Sequence, residues 1–274
     1  MDKTIVITGA GGVLCSGFAR FLASKGAKVA LLDINEAAAQ KVADEINANG
    51  GKAVAYKCNC LERASVEEVH AKVNADLGKC DILINGAGGN NPKCTTLHEE
   101  YEKGDESAED FLTFFNISDA GFDFVFDLNI KGVLLPSQVF MADMLGRPGC
   151  SVLNISSMNA YRPLTKIPAY SAAKAAVSNF TSWLAVHFAK EGIRVNAIAP
   201  GFFVTNQNRG LLFNEDGTPT ARTGKILRST PMGRFGEAEE LLGAVEFLLD
   251  ENKAGFVTGI TMPIDGGFSA YSGV

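Results

Sequence analysis

Long hydrophobic runs are the first thing this sequence lacks. No stretch reaches the roughly 18 consecutive apolar residues that a membrane-spanning helix needs, so no membrane partner is expected. Met1-Asp2-Lys3 leads directly into the apolar Thr4–Thr8, without the basic start, longer apolar run and small-residue cleavage site of a secretory leader. Positive charge is also in deficit. The 25 Lys and Arg face 31 Asp and Glu, a formal balance of −6, and no basic stripe is present to neutralise phosphates. Nucleic acid is therefore not expected as a partner. Cysteine is sparse. Six residues, at 15, 58, 60, 80, 94 and 150, form no C-x-x-C pair, and Cys58-Asn-Cys60 is too tight for an easy disulfide or a zinc knuckle. Reduced, mostly buried thiols in a cytoplasmic protein are expected. Histidines at 70, 98 and 187 are scattered, and no metal site is expected.

What is present is an ordinary globular composition, 46% apolar over 274 residues, enough to bury a sizeable core and too apolar for wholesale disorder. Two periods alternate along it. Lys3–Thr8, Lys28–Asp33, Ala53–Cys58, Asp81–Asn85, Ser151–Ser156, Arg194–Ala199 and Ile260–Ile264 are short runs rich in Val and Ile. Several are apolar at nearly every position, as strands covered on both faces are. Between them, Val13–Lys25, Asn35–Asn49, Arg63–Leu77, Phe122–Met144, Ala169–Lys190 and Glu237–Asp250 have helical spacing. Most end at a glycine, the residue that enters a left-handed cap without a Cβ penalty. The pattern predicts an α/β chain with one doubly wound parallel sheet and helices on both faces. No repeat or low-complexity linker interrupts it, so residues 1–274 are expected to form a single domain. Segments 86–121 and 202–235 break the rhythm, and irregular stretches of that length usually serve as lids or binding loops. The acidic part of the first, Glu99–Asp110, is expected to be a solvated helix on such a lid.

The first expected strand runs into Thr8-Gly9-Ala10-Gly11-Gly12-Val13-Leu14-Cys15 and then a helix. A glycine-rich turn at that place lets the backbone approach a pyrophosphate, and the helix N-terminus offers N–H donors to the anion. Asp33 closes the second expected strand. Its carboxylate suits the hydroxyls of an adenosine ribose and would repel a 2′-phosphate, which predicts NAD(H) over NADP(H). Further on, Tyr170-Ser-Ala-Ala-Lys174 sets a phenol and an ammonium one helical turn apart on one face. A phenol titrates near pH 10 when unperturbed, so a nearby ammonium that favours the phenolate would fit it for proton transfer. Ser157, at the end of the fifth expected strand, could hold a substrate oxygen beside it.

Together with Asn85-Gly-Ala-Gly88, Asn129, Pro200-Gly201, Thr205 and Asp265-Gly-Gly267, these residues resemble the short-chain dehydrogenase/reductase family over nearly the whole chain. The resemblance implies a Rossmann-type sheet of about seven strands. It also implies a homotetramer and hydride transfer between a nicotinamide and a carbonyl or alcohol. Tyr170 resembles the general acid/base. Lys174 resembles the residue that binds the nicotinamide ribose and lowers the tyrosine pKa. Ser157 resembles the substrate-oxygen anchor, and Asn129 the residue that holds a proton-relay water or mends a helix irregularity. Contacts to NAD are implied at Gly9, Gly11, Gly12, Val13 and Leu14, and at Asp33. More are implied at Asn59 and Cys60, at Asn85, Gly86 and Ala87, at Tyr170 and Lys174, and at Pro200, Gly201, Phe203 and Thr205. The chain departs from the family pattern in three places. Val13 and Cys15 replace the later glycines of T-G-x-x-x-G-x-G. Asn59 stands where an aspartate is usual, and Gly86 stands second in the turn usually written N-N-A-G.

The loops carry amides and cations rather than an apolar lining. Asn91, Lys93, Asn159, Arg162 and Arg209, with Ser157, are the candidate substrate residues, and Arg222, Lys225 and Arg228 follow in the second loop. Amides pair with hydroxyls and a guanidinium with a carboxylate, which points to a polyhydroxylated acid as the small-molecule partner. The stretches from Gly86 to Lys93, Gly201 to Asn214 and Asp265 to Val274 resemble the family members that reduce D-fructuronate to D-mannonate. A related sugar-acid or polyol dehydrogenase, acting for example on 5-ketogluconate, is the nearest alternative. A dinucleotide sensor without chemistry is a remote one, because such relatives often lose the tyrosine or the lysine.

Overall fold

In a computed structural model, residues 2–204 and 209–273 are described, and seven strands form one sheet. They are β1 (Thr4–Thr8), β2 (Lys28–Asp33), β3 (Lys52–Lys57), β4 (Ile82–Asn85), β5 (Ser151–Ile155), β6 (Arg194–Pro200) and β7 (Thr261–Ile264). Their order is β3-β2-β1-β4-β5-β6-β7, and every neighbouring pair is parallel. The expected Rossmann-type α/β fold is observed. Boundaries differ from the sequence reading by a residue or so, as fraying strand ends do.

The helices are α1 (Val13–Ser24), α2 (Glu36–Ala48), α3 (Arg63–Asp76), α4 (Asp119–Phe126), α5 (Gly132–Phe140), α6 (Pro168–Phe188), α7 (Arg209–Leu212), α8 (Ala221–Ser229), α9 (Leu242–Leu249) and α10 (Glu251–Ala254). Strand side chains alternate between two cores. Ile5, Ile7, Val29, Leu31, Ile82 and Ile84 pack on one face with Phe18 and Leu22 of α1, Val42 and Ile46 of α2, and Leu248 of α9. Val6, Ala30, Leu32 and Leu83 pack on the other with Val66 and Val73 of α3, Phe140 of α5 and Leu184 of α6. Burial on both faces is why these strands read as unbroken apolar runs instead of alternating ones.

The expected helix Phe122–Met144 is interrupted. Residues Asp127–Lys131 form a π-turn between α4 and α5. Asn129 sits there, fully buried, and its side-chain amide donates to the Val125 carbonyl (2.7 Å) and to that of Gly89 (2.8 Å). The amide thus serves a carbonyl freed by the irregular turn, and π-turns of this kind are frequent at functional sites. Asp119–Met144 is apolar enough over 26 residues to pass for a membrane span, but 56% of its most apolar stretch is buried inside the protein.

The acidic segment corrects one expectation. Glu99–Asp110 contains no α-helix, only a three-residue 3-10 turn, Asp105–Ser107. Gly104, with φ of 109°, breaks any helical run. Asp105 is buried instead of solvated, its carboxylate accepting from His98 Nδ1 (2.8 Å) and from the Glu102 N–H (3.2 Å). Thr113 is buried too and donates to the Asp105 carbonyl. Side-chain bonds to this backbone have replaced helical ones.

Candidate active site

Strand order reverses between β1 and β4, and an open parallel sheet offers its ligand crevice at the carboxyl ends of the strands at that point. A cavity of about 330 Å³ lies there. Its wall is made first by the β1–α1 turn: Gly9, Gly12, Val13, Leu14 and Cys15. The ends of β4 and β5 add Gly86, Gly88, Ile155, Ser156 and Ser157. Tyr170 and Lys174 come from α6, and Pro200, Gly201, Phe202 and Phe203 follow β6.

The turn is shaped to keep side chains out. Gly9 has φ of 65°, and a Cβ on it would stand 2.9 Å from the Ala87 nitrogen. A Cβ on Gly11 would stand 2.7 Å from that of Ala38 and 3.1 Å from the Asp33 carboxylate. Thr8 ties the turn to the end of β4, its Oγ1 accepting from the N–H groups of Gly86 and Ala87, each at 3.1 Å. α1 begins at Gly12 with no side-chain cap and no acidic residue in its first turn. The N–H groups of that turn border the cavity, so an anion would meet unneutralised donors and the positive end of the helix. Asp33 holds the turn from the side: its carboxylate accepts from the Gly11 N–H (2.9 Å) and the Asn35 N–H (2.8 Å). Each oxygen has a further lone pair for a ribose hydroxyl. These cradle features fit a dinucleotide.

Cys15 and Gly86, two of the departures from the family pattern, turn out to be one adjustment. A Cβ on Gly86 would lie 2.1 Å from Cys15 Sγ, so the thiol occupies the space that a side chain at position 86 would need. The thiol is buried and its pKa is pushed up to about 12 by burial, with the Lys174 charge working against the shift. It is a neutral, apolar filling at neutral pH.

At the chemical end Ser157, just past β5, and Tyr170 of α6 both line the cavity. Burial pushes the Tyr170 phenol up, and the neighbouring Ser157 hydroxyl opposes this. Lys174 Nζ donates to the Ile155 carbonyl (2.8 Å) and stands 5.6 Å from the centre of the Tyr170 ring. Burial lowers the Lys174 pKa to about 8. The phenol is raised rather than lowered here, while the Lys174 ammonium keeps two further donors beyond its bond to the strand-end carbonyl. Gly88 brings the remaining partner close, since a Cβ there would lie 2.8 Å from Asn129 Oδ1 and 3.0 Å from Lys174 Nζ. Tyr170, Ser157, Lys174 and Asn129 thus converge from α6, β5 and the π-turn.

Other candidates lie elsewhere. The Asn85 side chain is buried and donates to Ser137 (3.0 Å) and Asn154 (2.9 Å), so that position could meet a cofactor only through its backbone. Asn59 bonds locally, accepting from the Leu61 N–H (3.1 Å) and donating to Glu62 (2.8 Å), and Cys60 is buried beside it. Asn91 caps the turn Pro92–Cys94, and Lys93 is exposed within it. Asn159 follows Ser157, buried, with its side-chain oxygen unpartnered. Arg162 donates to the Ser269 carbonyl (3.1 Å) and so anchors the C-terminal segment. The Arg209 guanidinium lies over the Phe213 ring at 5.5 Å. Thr205 lies outside the described residues. The sequence pattern left Cys15, Gly88, Ile155, Ser156 and Phe202 out of the site. Cys15, in the Gly9–Cys15 turn, and Gly88, in the Asn85–Gly88 turn, had a visible signal; the others had none.

Residues 3–215 match the short chain dehydrogenase family, and the chain belongs to it. It is an oxidoreductase of that family. Among its relatives, an uncharacterized oxidoreductase of Haemophilus influenzae is 62% identical over 273 residues, covering 100% of this chain and 95% of its own. The uncharacterized oxidoreductase UxuB of Bacillus subtilis is 53% identical, covering 99% of this chain and 96% of its own. A Haemophilus crystal structure superposes with a TM-score of 0.96 at 62% identity, over 99% of this chain and 96% of that one. That protein is provisionally named a D-mannonate oxidoreductase and was solved with bound NAD.

Proposed function

We propose that the chain uses NAD(H) to interconvert D-fructuronate and D-mannonate. The observation that carries the chemistry is the convergence of the Ser157–Tyr170 hydroxyl pair, Lys174 and Asn129 at one end of the cavity whose other end is the Gly9–Cys15 turn. Support for the substrate comes from the amides and cations of the flanking loops and from the name given to the similar Haemophilus protein.

In this reading the β1–α1 turn and the N-terminus of α1 hold the pyrophosphate, Asp33 the adenosine ribose, and the residues following β6 the nicotinamide end. The nicotinamide supplies or accepts the hydride. Ser157 fixes the substrate oxygen next to the Tyr170 hydroxyl. Tyr170 gives its proton to that oxygen in reduction and takes it back in oxidation. Lys174 orients the ribose and, with Asn129, passes a proton towards solvent. Asn159 offers an unpartnered buried acceptor to a substrate hydroxyl. A homotetramer is also proposed, supported by an apolar groove of about 400 Å³ between α5 and α6 beside the exposed Trp183 and by the family resemblance; light scattering tests it.

The test is a purified-enzyme screen of keto-uronates and keto-gluconates with NADH and with NADPH. D-fructuronate turned over with NADH is the expected result. No turnover of it beside good turnover of 5-ketogluconate would replace the substrate, and a clear preference for NADPH would refute the role of Asp33.

A further inference from the structure

The sugar-acid reading leaves open which cations receive the carboxylate. Arg162 and Arg209 are engaged with Ser269 and Phe213. A different group gathers where the two long loop segments meet. Glu99, from the segment after β4, forms an ion pair of 2.8 Å with Lys225 of α8. Arg222 lies three residues earlier on the same helix, hence on the same face. Lys166 arrives from the turn before α6, four residues ahead of Tyr170. The Lys225 bond holds the Glu99 carboxyl below the usual carboxylate range, and the charges of Lys166 and Arg222 add to that effect.

A second observation singles out the same place. Lys166 has φ of 71°, the only left-handed non-glycine backbone among the described residues. Its carbonyl accepts from the Thr96 N–H (2.9 Å), on the segment that carries Glu99. Backbone held in a disfavoured region clusters at ligand clamps and switches. The neighbouring Cys94 packs with Ala169 and Tyr170, so this junction adjoins the chemical end of the cavity. A structural ion pair needs one cation for one carboxylate, and an exposed pair contributes little to stability. Here one glutamate is bonded to Lys225, shares a helix face with Arg222 through it, and sits on the segment tied by backbone to Lys166, so positive charge exceeds negative.

We propose that Lys166, Arg222 and Lys225 form the subsite for the substrate carboxylate, and that Glu99 occupies it until the substrate displaces it. The inference rests on the sugar-acid reading above. An incoming sugar acid exchanges its carboxylate for that of Glu99 and, in doing so, frees the tie between the two loop segments.

The experiment compares Lys225→Met, Arg222→Met and Glu99→Gln by steady-state kinetics and by calorimetry with D-gluconate, with sorbitol as the uncharged control. Loss of a charge-assisted contact should raise KM for the keto-uronate by about tenfold in the two cation variants, with a smaller change in kcat. Glu99→Gln should act in the opposite direction, lowering KM by a few-fold, because it removes an exposed internal competitor of modest strength. Opposite signs are what a merely structural tie would not produce. Gluconate affinity should follow the same order, and sorbitol should be indifferent to all three changes. If the keto-uronate is not turned over, the substrate reading fails by itself and gluconate calorimetry still decides this one. Equal signs in all variants, unchanged KM, or no gluconate binding by the parent protein would overturn the subsite.

Discussion

The floor of the cavity and its rim are built on different principles. The floor is backbone. Strand ends, the Gly9–Gly12 turn, the π-turn and the first two turns of α6 place the groups, and side chains there are buried, as Lys174, Ser157 and Asn129 are. The rim is side chains. Glu99 meets Lys225 across two segments, His98 meets Asp105 within one, and the same segment carries exposed aromatics such as Phe114 and Tyr101. A floor made of regular elements has nowhere to go without unfolding. A rim tied by partly exposed bonds can open at small cost. The proposed function accordingly puts chemistry on the floor and substrate choice on the rim.

The comparison is broken most readily at Tyr170. Tyr170→Phe removes the proposed proton donor and little contact area, so kcat should fall by roughly a hundred- to ten-thousandfold. NADH affinity, read by fluorescence titration, should change by less than about threefold. Retained turnover would move the acid off the floor. Lys174 comes next. With its pKa near 8, its cation is present below that pH and lost above it. On that basis kcat/KM for reduction should decline above about pH 8, by up to about tenfold per unit. Lys174→Arg should lower the rate but carry the alkaline limb beyond pH 10, since a guanidinium keeps its charge to about pH 12. A limb that stays in place would assign it to another group.

Gly86→Ala tests how tightly the floor is packed. The new methyl would press on Cys15 Sγ and on the Thr8 carbonyl. Overpacking of this kind costs about 1–3 kcal/mol, read as a loss of thermal stability and of NADH affinity. Adding Cys15→Gly should return part of the loss, because neighbours that share a space are not additive. Full additivity would separate the two positions. The smallest effects come from one substitution made in both regions. Thr181, buried under the floor, accepts from Asn154 and donates to the Val177 carbonyl. Thr181→Val should cost about 1–3 kcal/mol and lower Tm by several degrees. Thr113→Val breaks a bond to the Asp105 carbonyl in the rim. It should leave Tm within about a degree and show only as faster proteolysis between residues 99 and 116.

The same division decided what could be read from the sequence. The floor was legible because its signals are local: two hydrophobic periods, glycines where a side chain has no room, a tyrosine and a lysine one turn apart. The rim was not. The acidic run Glu99–Asp110 looked like a solvated helix, and only the tertiary pairing of Asp105 with His98 and Thr113 shows why it is none. Arg162 and Arg209 had the right chemistry for a carboxylate, yet the distant Ser269 carbonyl takes the first and the nearby Phe213 ring lies under the second. Even on the floor, tertiary contacts escaped notice. The bond from Lys174 to the Ile155 carbonyl joins α6 to the end of β5, and the matching of Cys15 to Gly86 joins residues 71 apart in number.

The central claim is that this cavity moves a hydride onto the ketone of a sugar acid. NADH carrying deuterium at the transferred position, incubated with the enzyme and D-fructuronate, reports this directly by NMR. The account predicts D-mannonate with a single deuterium on the carbon that carried the ketone. NADH bound and the sugar acid recovered without deuterium would contradict it.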